Sequence, residues 1–325
     1  MALPTSIAAT TPPLTAREDF WPFWRGTLDE LAQVTPEPVA LRGERSPQGP
    51  ELQWVTLRSL GERRITAYLL RWRNGPPRPL VVYTHGYGSQ VEEAWSWARR
   101  GLHVVGVDVR GFGRSRAAGE PVSPAGYVLT GIDAPATSIL RGAVCDFVRA
   151  RQWAQHQLGA LVSRTVFHGH SFGGAVAVMA AAVDPSSDLL AVGVPTFGWA
   201  QGRRRLVRRG SGKEINDYLA DRPDREATVL RTLSYFDPMN FAPQVPGPSL
   251  VGVGLHDDVV PPETVYAIVN HLPKPVQVME FPTSHTGRPE EAAWTAFETR
   301  WLALALAAPG GSPSDARPDA LTPSP

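Results

Sequence analysis

Apolar and polar positions along this 325-residue chain alternate between two periods. Short apolar runs of four to eight residues recur. They are separated by longer stretches in which apolar residues repeat every three or four positions. The runs at Leu80–Tyr83, Val104–Asp108, Arg164–His168, Leu190–Val194, Ser249–Gly254 and Val276–Phe281 read as buried strands. Gln53–Leu57 and Ile65–Trp72 read as a pair of strands nearer the amino terminus. Helical spacing predicts helices over Asp19 to about Gln33, Glu92–Arg100, Thr137–Gln157, Ala175–Ala181 and Glu290–Ala307. In the Thr137–Gln157 stretch the apolar positions are Ile139, Leu140, Ala143, Val144, Phe147 and Val148. Residues 197–235 read as a helical insertion carrying an arginine cluster between Arg203 and Arg209. Strands alternating with helices at these lengths predict an α/β chain with a mostly parallel sheet covered on both faces. One domain over residues 15–308 is expected. Residues 1–14, rich in Ala, Thr and Pro, and the Gly-, Ser- and Pro-rich tail 309–325 are expected to be disordered.

Composition narrows the functional classes. The net charge is +1, so no bulk field draws the chain to nucleic acid or to an anionic membrane. The arginine cluster lacks interleaved aromatics and reads as a solvated helical face. No apolar run approaches the roughly 18 residues of a membrane span. No signal peptide is evident, and the single cysteine, Cys145, excludes an internal disulfide. A soluble, cytoplasmic protein is expected. No Cys/His cluster has zinc spacing, and there is no phosphate loop or dinucleotide fingerprint, so neither a metal nor a cofactor is expected.

The chemistry concentrates where strands end. Gly169-His170-Ser171-Phe172-Gly173, with Gly174 after it, lies between a strand and a helix. A serine between glycines in that setting reads as a nucleophile elbow. Serine needs a base, and the base needs an orienting carboxylate. In the α/β-hydrolase layout these follow in the order Ser, acid, His, each on a loop after a strand. Asp257 follows the strand Ser249–Gly254 and His285 follows Val276–Phe281, so Ser171, Asp257 and His285 form the candidate triad. Asp258 is a rival acid further from its strand end. His256 precedes the acid and breaks the order. An oxyanion hole needs two N–H donors. One is expected from Phe172, next after the serine, and the other from Tyr87 in His85-Gly86-Tyr87-Gly88. Arg110-Gly111-Phe112-Gly113 reads as structural.

Several stretches carry a likeness more specific than a fold. Leu230-Arg231-Thr232-Leu233-Ser234-Tyr235-Phe236-Asp237-Pro238-Met239-Asn240-Phe241 resembles the R-T-L-S-Y-F-D-x-x-N-F run of the acetyl xylan esterase / cephalosporin C deacetylase family, carbohydrate esterase family seven. Gly254–Pro262 is similar to that family's G-L-x-D-x-x-x-P-P, and Glu18–Trp24 to its E-D-F-x-x-F-W. Gly131-Ile132-Asp133-Ala134-Pro135 echoes another of its segments, and the resemblance covers about residues 17 to 305. The resemblance implies the α/β-hydrolase fold and hydrolysis of acetyl esters of carbohydrates or cephalosporin-like alcohols. It implies Ser171, Asp257 and His285 as nucleophile, acid and base, and Tyr87 and Phe172 as oxyanion donors. It also implies a ring-like homo-hexamer and a small-molecule ester as partner. The chain departs from the family where glutamines become Phe112 and Phe172, where H-E becomes His285-Thr286, and where Y-Y-Y-R becomes Ser138–Arg141. Two rivals on the same fold are a peptidase or amidase and an esterase for bulkier acyl groups. A non-catalytic binding protein is the rival of a different class.

Overall fold

The computed structural model describes residues 5–116, 122–285 and 289–307. A nine-stranded sheet runs through it in the order β1-β2-β3-β5-β4-β6-β7-β8-β9. The strands are β1 Val39–Glu44, β2 Glu51–Ser59, β3 Arg63–Arg71, β4 Arg78–Thr84, β5 His103–Asp108, β6 Val162–His170, β7 Leu189–Gly193, β8 Ser249–Gly254 and β9 Val276–Phe281. From β5 through β4 to β9 every pairing is parallel, while β1, β2 and β3 attach antiparallel. The burial follows from this. Every residue of β5, β7 and β8 is buried, as apolar runs covered on both sides must be. The edge strand β1 is exposed throughout.

The helices are α1 Thr5–Ala8, α2 Phe20–Gln33, α3 Trp95–Arg99, α4 Ile139–Leu158, α5 Phe172–Val183, α6 Ala200–Leu206, α7 Gly210–Asp221, α8 Glu226–Ser234, α9 Pro238–Phe241, α10 Pro262–Val269 and α11 Pro289–Leu306. Alternate strand residues feed two cores. Leu80, Val82, Phe167 and Val251 pack against α2, α4, α5 and α10. Val81, Val104, Val166 and Leu250 pack against α3 and α11.

Three expectations are corrected. Residues 5–14 are not free. α1 lies on the body, Ile7 packs against the larger core, and the Asn270 amide donates to the carbonyls of Ala8 and Thr10 at 2.9 Å each. Composition alone registers the prolines and threonines, but not the distant asparagine that holds them. The helix expected over Glu92–Arg100 begins only at Trp95. Its first turn is taken up by the sheet: the Tyr68 and Tyr83 hydroxyls donate to Glu92 O, and the Trp54 and Trp95 indoles donate to the Glu93 carboxylate. Arg203 is not solvated: only 4% of it is exposed, whereas Arg205, Arg208 and Arg209 face water. The tail 309–325 and Thr286 lie outside the described residues.

The insertion is the three-helix stretch α6–α8. The family-like run that ends it is a brace. Asp237 accepts hydrogen bonds from Met239 N, Trp199 N and Ala200 N, fixing the starts of α9 and α6 together. Trp24 donates its indole N–H to Tyr235 O at 3.1 Å, joining α2 to the same run.

Candidate active site

β6 ends in a turn that residues with a side chain rarely make. Ser171 has φ +53° and ψ −114°, outside the comfortable regions for an L-residue. Its neighbours explain how the turn closes. A Cβ on Gly169 would lie 2.3 Å from the Gly173 carbonyl carbon. A Cβ on Gly173 would lie 2.5 Å from Thr84 O and 2.9 Å from His85 O. The glycines therefore let α5 start directly over β6 and let the β4 loop press against the elbow. Ser171 N donates to Gly193 O at 2.9 Å and Ser171 O accepts from Ala175 N at 3.0 Å, which lock the strained residue.

The loop after β4 carries Tyr87 between Gly86 and Gly88. His85 anchors its start: the ring accepts from Val109 N through Nε2 at 3.3 Å, so Nδ1 carries the proton and donates to Gly86 O at 2.8 Å. Burial pushes the His85 pKa down, which keeps that neutral tautomer. Among the described residues, neither the Tyr87 nor the Phe172 backbone N–H donates to another backbone group.

The loops after β8 and β9 bring Asp257 and His285 together. His285 Nδ1 lies 2.8 Å from Asp257 Oδ2. Asp257 is buried, and its other oxygen accepts from Val259 N at 2.9 Å and Val260 N at 2.7 Å. The two loops are stitched by Leu255 N to Phe281 O at 2.8 Å and His256 N to Thr283 O at 3.0 Å. Asp258, the rival acid, is exposed and pairs with Arg209 at 3.3 Å. His256 is exposed. His285 lies close enough to His170, the residue before Ser171, for its charge to disfavour protonation there. With burial as the larger cause, the His170 pKa is pushed down to about 4. His170 is a packed neutral ring: Trp294 meets it edge-on at 4.7 Å, and a Cβ on Gly193 would lie 2.2 Å from its Nδ1.

The departures at Phe112 and Phe172 meet in one aromatic cluster. Their rings lie 5.6 Å apart, and Phe112 stacks on Tyr127 at 4.0 Å. Both phenylalanines are almost wholly buried. Arg110 is structural: its guanidinium makes a two-pronged bond to buried Asp146, at 2.9 Å and 2.7 Å. Burial pushes the Cys145 thiol up to about 12, which makes it inert as a nucleophile. Among the described residues, no group of three or more His, Cys, Asp or Glu side chains is placed to hold a metal.

Two residues near these loops carry no sequence signal of their own. Arg203 donates to the Thr196 and Ser211 hydroxyls from a buried position. Burial pushes its pKa down to about 10. Glu214, on α7, accepts from the Tyr87 hydroxyl at 2.6 Å. No local spacing separates Arg203 from its neighbours Arg204 and Arg205, or marks Glu214 on α7.

The family profile described as acetyl xylan esterase (AXE1) matches residues 5–298. An acetyl esterase of Xylanibacter ruminicola, Axe7A, is 24% identical over 301 residues, which are 88% of this chain and 66% of that protein. The chain thus spans just under two thirds of the length of that relative. The solved acetyl xylan esterase from Paenibacillus sp. R4 is 25% identical, with a TM-score of 0.80 over 91% of this chain and 99% of that one. Acetyl xylan esterase 1 from Thermoanaerobacterium sp. JW/SL YS485 is 24% identical, with a TM-score of 0.79 over 92% and 99% of the two chains. A puromycin-hydrolyzing peptidase of Mycobacterium tuberculosis is 19% identical with a TM-score of 0.56, covering 83% of this chain and 39% of its own. That last likeness is one of fold. The architecture is the α/β-hydrolase fold.

Proposed function

Because this chain belongs to the acetyl xylan esterase family, whose members are carboxylic ester hydrolases, we propose that it is a serine esterase acting on short-chain acyl esters, acetyl esters foremost. The alcohol is a carbohydrate or a cephalosporin-like ring alcohol. The observation that carries the mechanism is the His285 Nδ1 to Asp257 Oδ2 contact of 2.8 Å, on the two loops that follow β8 and β9. An acid that accepts at Nδ1 leaves the Nε2 lone pair free to act as base.

The reaction runs in two halves. Ser171 Oγ attacks the ester carbonyl and its proton passes to His285 Nε2. The oxyanion that forms accepts from the backbone N–H groups of Phe172 and Tyr87. The C–O bond to the alcohol then breaks, and His285 gives the alkoxide its proton. Water attacks the acyl-enzyme, losing a proton to His285, and acid is released as Ser171 recovers its own proton. Asp257 stabilises the imidazolium in both halves.

Burial of Phe112 and Phe172 supports the short-acyl reading over the bulkier one, because rings packed on each other fill space rather than line it. Nitrophenyl acetate, butyrate and octanoate, assayed with wild type and Ser171→Ala beside a peptide anilide, test the proposal. Acetate preference lost in Ser171→Ala is the expected result. Faster turnover of octanoate sinks the short-acyl reading, and anilide turnover exceeding ester turnover favours a peptidase. The ring-like hexamer implied by the family resemblance is part of the same reading, and sedimentation in solution tests it.

A further inference from the structure

The helical insertion reaches the loop after β4 through one sheltered carboxylate. Glu214, in the second turn of α7, accepts from the Tyr87 hydroxyl at 2.6 Å. The same hydroxyl accepts from Val128 N at 3.1 Å. The chain before Val128 is shaped around this carboxylate. Gly126 has φ +139°, and a Cβ there would lie 2.1 Å from Glu214 Oε2. Among the described residues no cationic side chain pairs with Glu214, which is about half buried. Burial raises its pKa above the usual carboxylate range, and hydrogen bonds from Tyr87 and the Val128 amide offset part of that cost.

Tyr87 itself sits between two glycines, and Gly88 has φ +74°. Glycines on both sides give that peptide more freedom than an oxyanion donor tolerates. The Tyr87 ring removes it. Phe112, Tyr127 and Phe172 surround the ring edge-on at 5.5, 5.8 and 5.8 Å. With the hydroxyl held by Glu214, both ends of the side chain are fixed. Only the Cα–Cβ and Cβ–Cγ torsions then separate an anchored oxygen from the amide.

We propose that Glu214 is a positioning residue: by holding the Tyr87 hydroxyl it aims the Tyr87 backbone N–H at the developing oxyanion. This rests on the reading above that Ser171 is the nucleophile and the Tyr87 amide a donor. Glu214 acts through Tyr87.

The test compares Tyr87→Phe, Glu214→Ala, Glu214→Gln and the double variant Tyr87→Phe/Glu214→Ala with wild type. Each is assayed on nitrophenyl acetate for kcat and KM and with an alkylboronic acid, whose tetrahedral adduct carries an oxygen where the oxyanion forms. Tyr87→Phe removes one oxygen and keeps the packed ring, so it stays informative if Glu214→Ala fails to fold. Loss of a donor outright costs ~100-fold or more, so loosening one is expected to lower kcat about tenfold with KM nearly unchanged. Boronate affinity falls in parallel. Glu214→Gln, whose amide oxygen still accepts, recovers most of what Glu214→Ala loses, and the double variant is no worse than Tyr87→Phe. Wild-type kcat in Tyr87→Phe, a loss confined to KM, or a Gln variant as poor as the Ala variant overturns the proposal. Ser171→Ala, run alongside, separates the two readings: residual turnover there overturns the esterase mechanism itself.

Discussion

Gly173→Ala puts the link between the elbow and the β4 loop to a direct test. The added methyl would sit 2.5 Å from Thr84 O and 2.9 Å from His85 O, both backbone atoms. Ordinary contact begins near 3.4 Å, so the β4 loop and α5 must part by about 0.9 Å. Neither can yield alone. β4 is central in the sheet and paired on both sides, and α5 is buried through the length of its first ten residues. The stability cost is that of overpacking, about 1–3 kcal/mol. The activity cost is separate and larger in effect. The Tyr87 and Phe172 amides sit on the two segments being pushed apart, and a misplacement of about 1 Å at a reacting centre costs on the order of 100-fold, or about 2.7 kcal/mol in the barrier. The assay is kcat/KM on nitrophenyl acetate beside the thermal unfolding midpoint. Gly26→Ala is the control. Nothing lies within 4 Å of a Cβ at Gly26, in the middle of α2, so that change should stabilise by about 0.5–1 kcal/mol and leave activity alone. A folded Gly173→Ala protein with kcat/KM within about fivefold of wild type would refute the argument that these two segments must touch to work.

Three further outcomes follow from named contacts. Asp257→Asn should lower kcat by about 10⁴, whereas Asp258→Asn, at an exposed carboxylate facing Arg209, should stay within about twofold; equal losses would move the acid to the loop as a whole. Asp146→Ala leaves the Arg110 guanidinium buried without its partner and should cost about 3–5 kcal/mol in chemical denaturation, with kcat of the folded fraction nearly unchanged; a large kcat loss at full stability would make Arg110 more than structural. His168 is buried with its pKa pushed down from 6.5 to about 3, so the unfolded chain binds a proton there that the folded one does not. Its contribution is therefore complete above pH 6.5 and is lost as pH falls towards 3. Unfolding midpoints measured from pH 7 to pH 4 should drop less steeply in His168→Gln than in wild type, and parallel curves would remove this histidine from the account.

Much of this architecture is legible in sequence because a parallel strand buried on both faces must be a short apolar run, and the loops that matter follow those runs. Ser171 follows β6 at once, and Asp257 and His285 come three and four residues after β8 and β9, so parallel pairing puts all three beyond the same end of the sheet. Legibility ends where a contact depends on a partner far along the chain. Residues 5–14 look like a free terminus until Asn270 is placed beside Ala8 and Thr10. Glu92–Arg100 has helical spacing, yet the Tyr68 and Tyr83 hydroxyls claim the Glu92 carbonyl and delay the helix to Trp95. In the arginine cluster, five similar side chains divide by which one meets Thr196 and Ser211, and no local pattern distinguishes Arg203 from Arg205.

The insertion shows why such partners matter more for the site than for the fold. The fold needs only that α6–α8 bury their apolar faces, and many sequences would do that. The site has polar bonds at three separate loops that all come from this one stretch. Glu214 meets Tyr87 after β4, Arg203 meets Thr196 after β7, and Arg209 meets Asp258 after β8. Exposure ranks them. The Arg209–Asp258 pair faces water and is worth little, while the Arg203 contact is buried and the Glu214 contact half-buried, so breaking either leaves polar groups partly unpaired. The loops that carry the candidate chemistry are therefore not independent ornaments on a rigid sheet. The loops after β4 and β7 share a helical clamp, through Glu214 on α7 and Arg203 on α6.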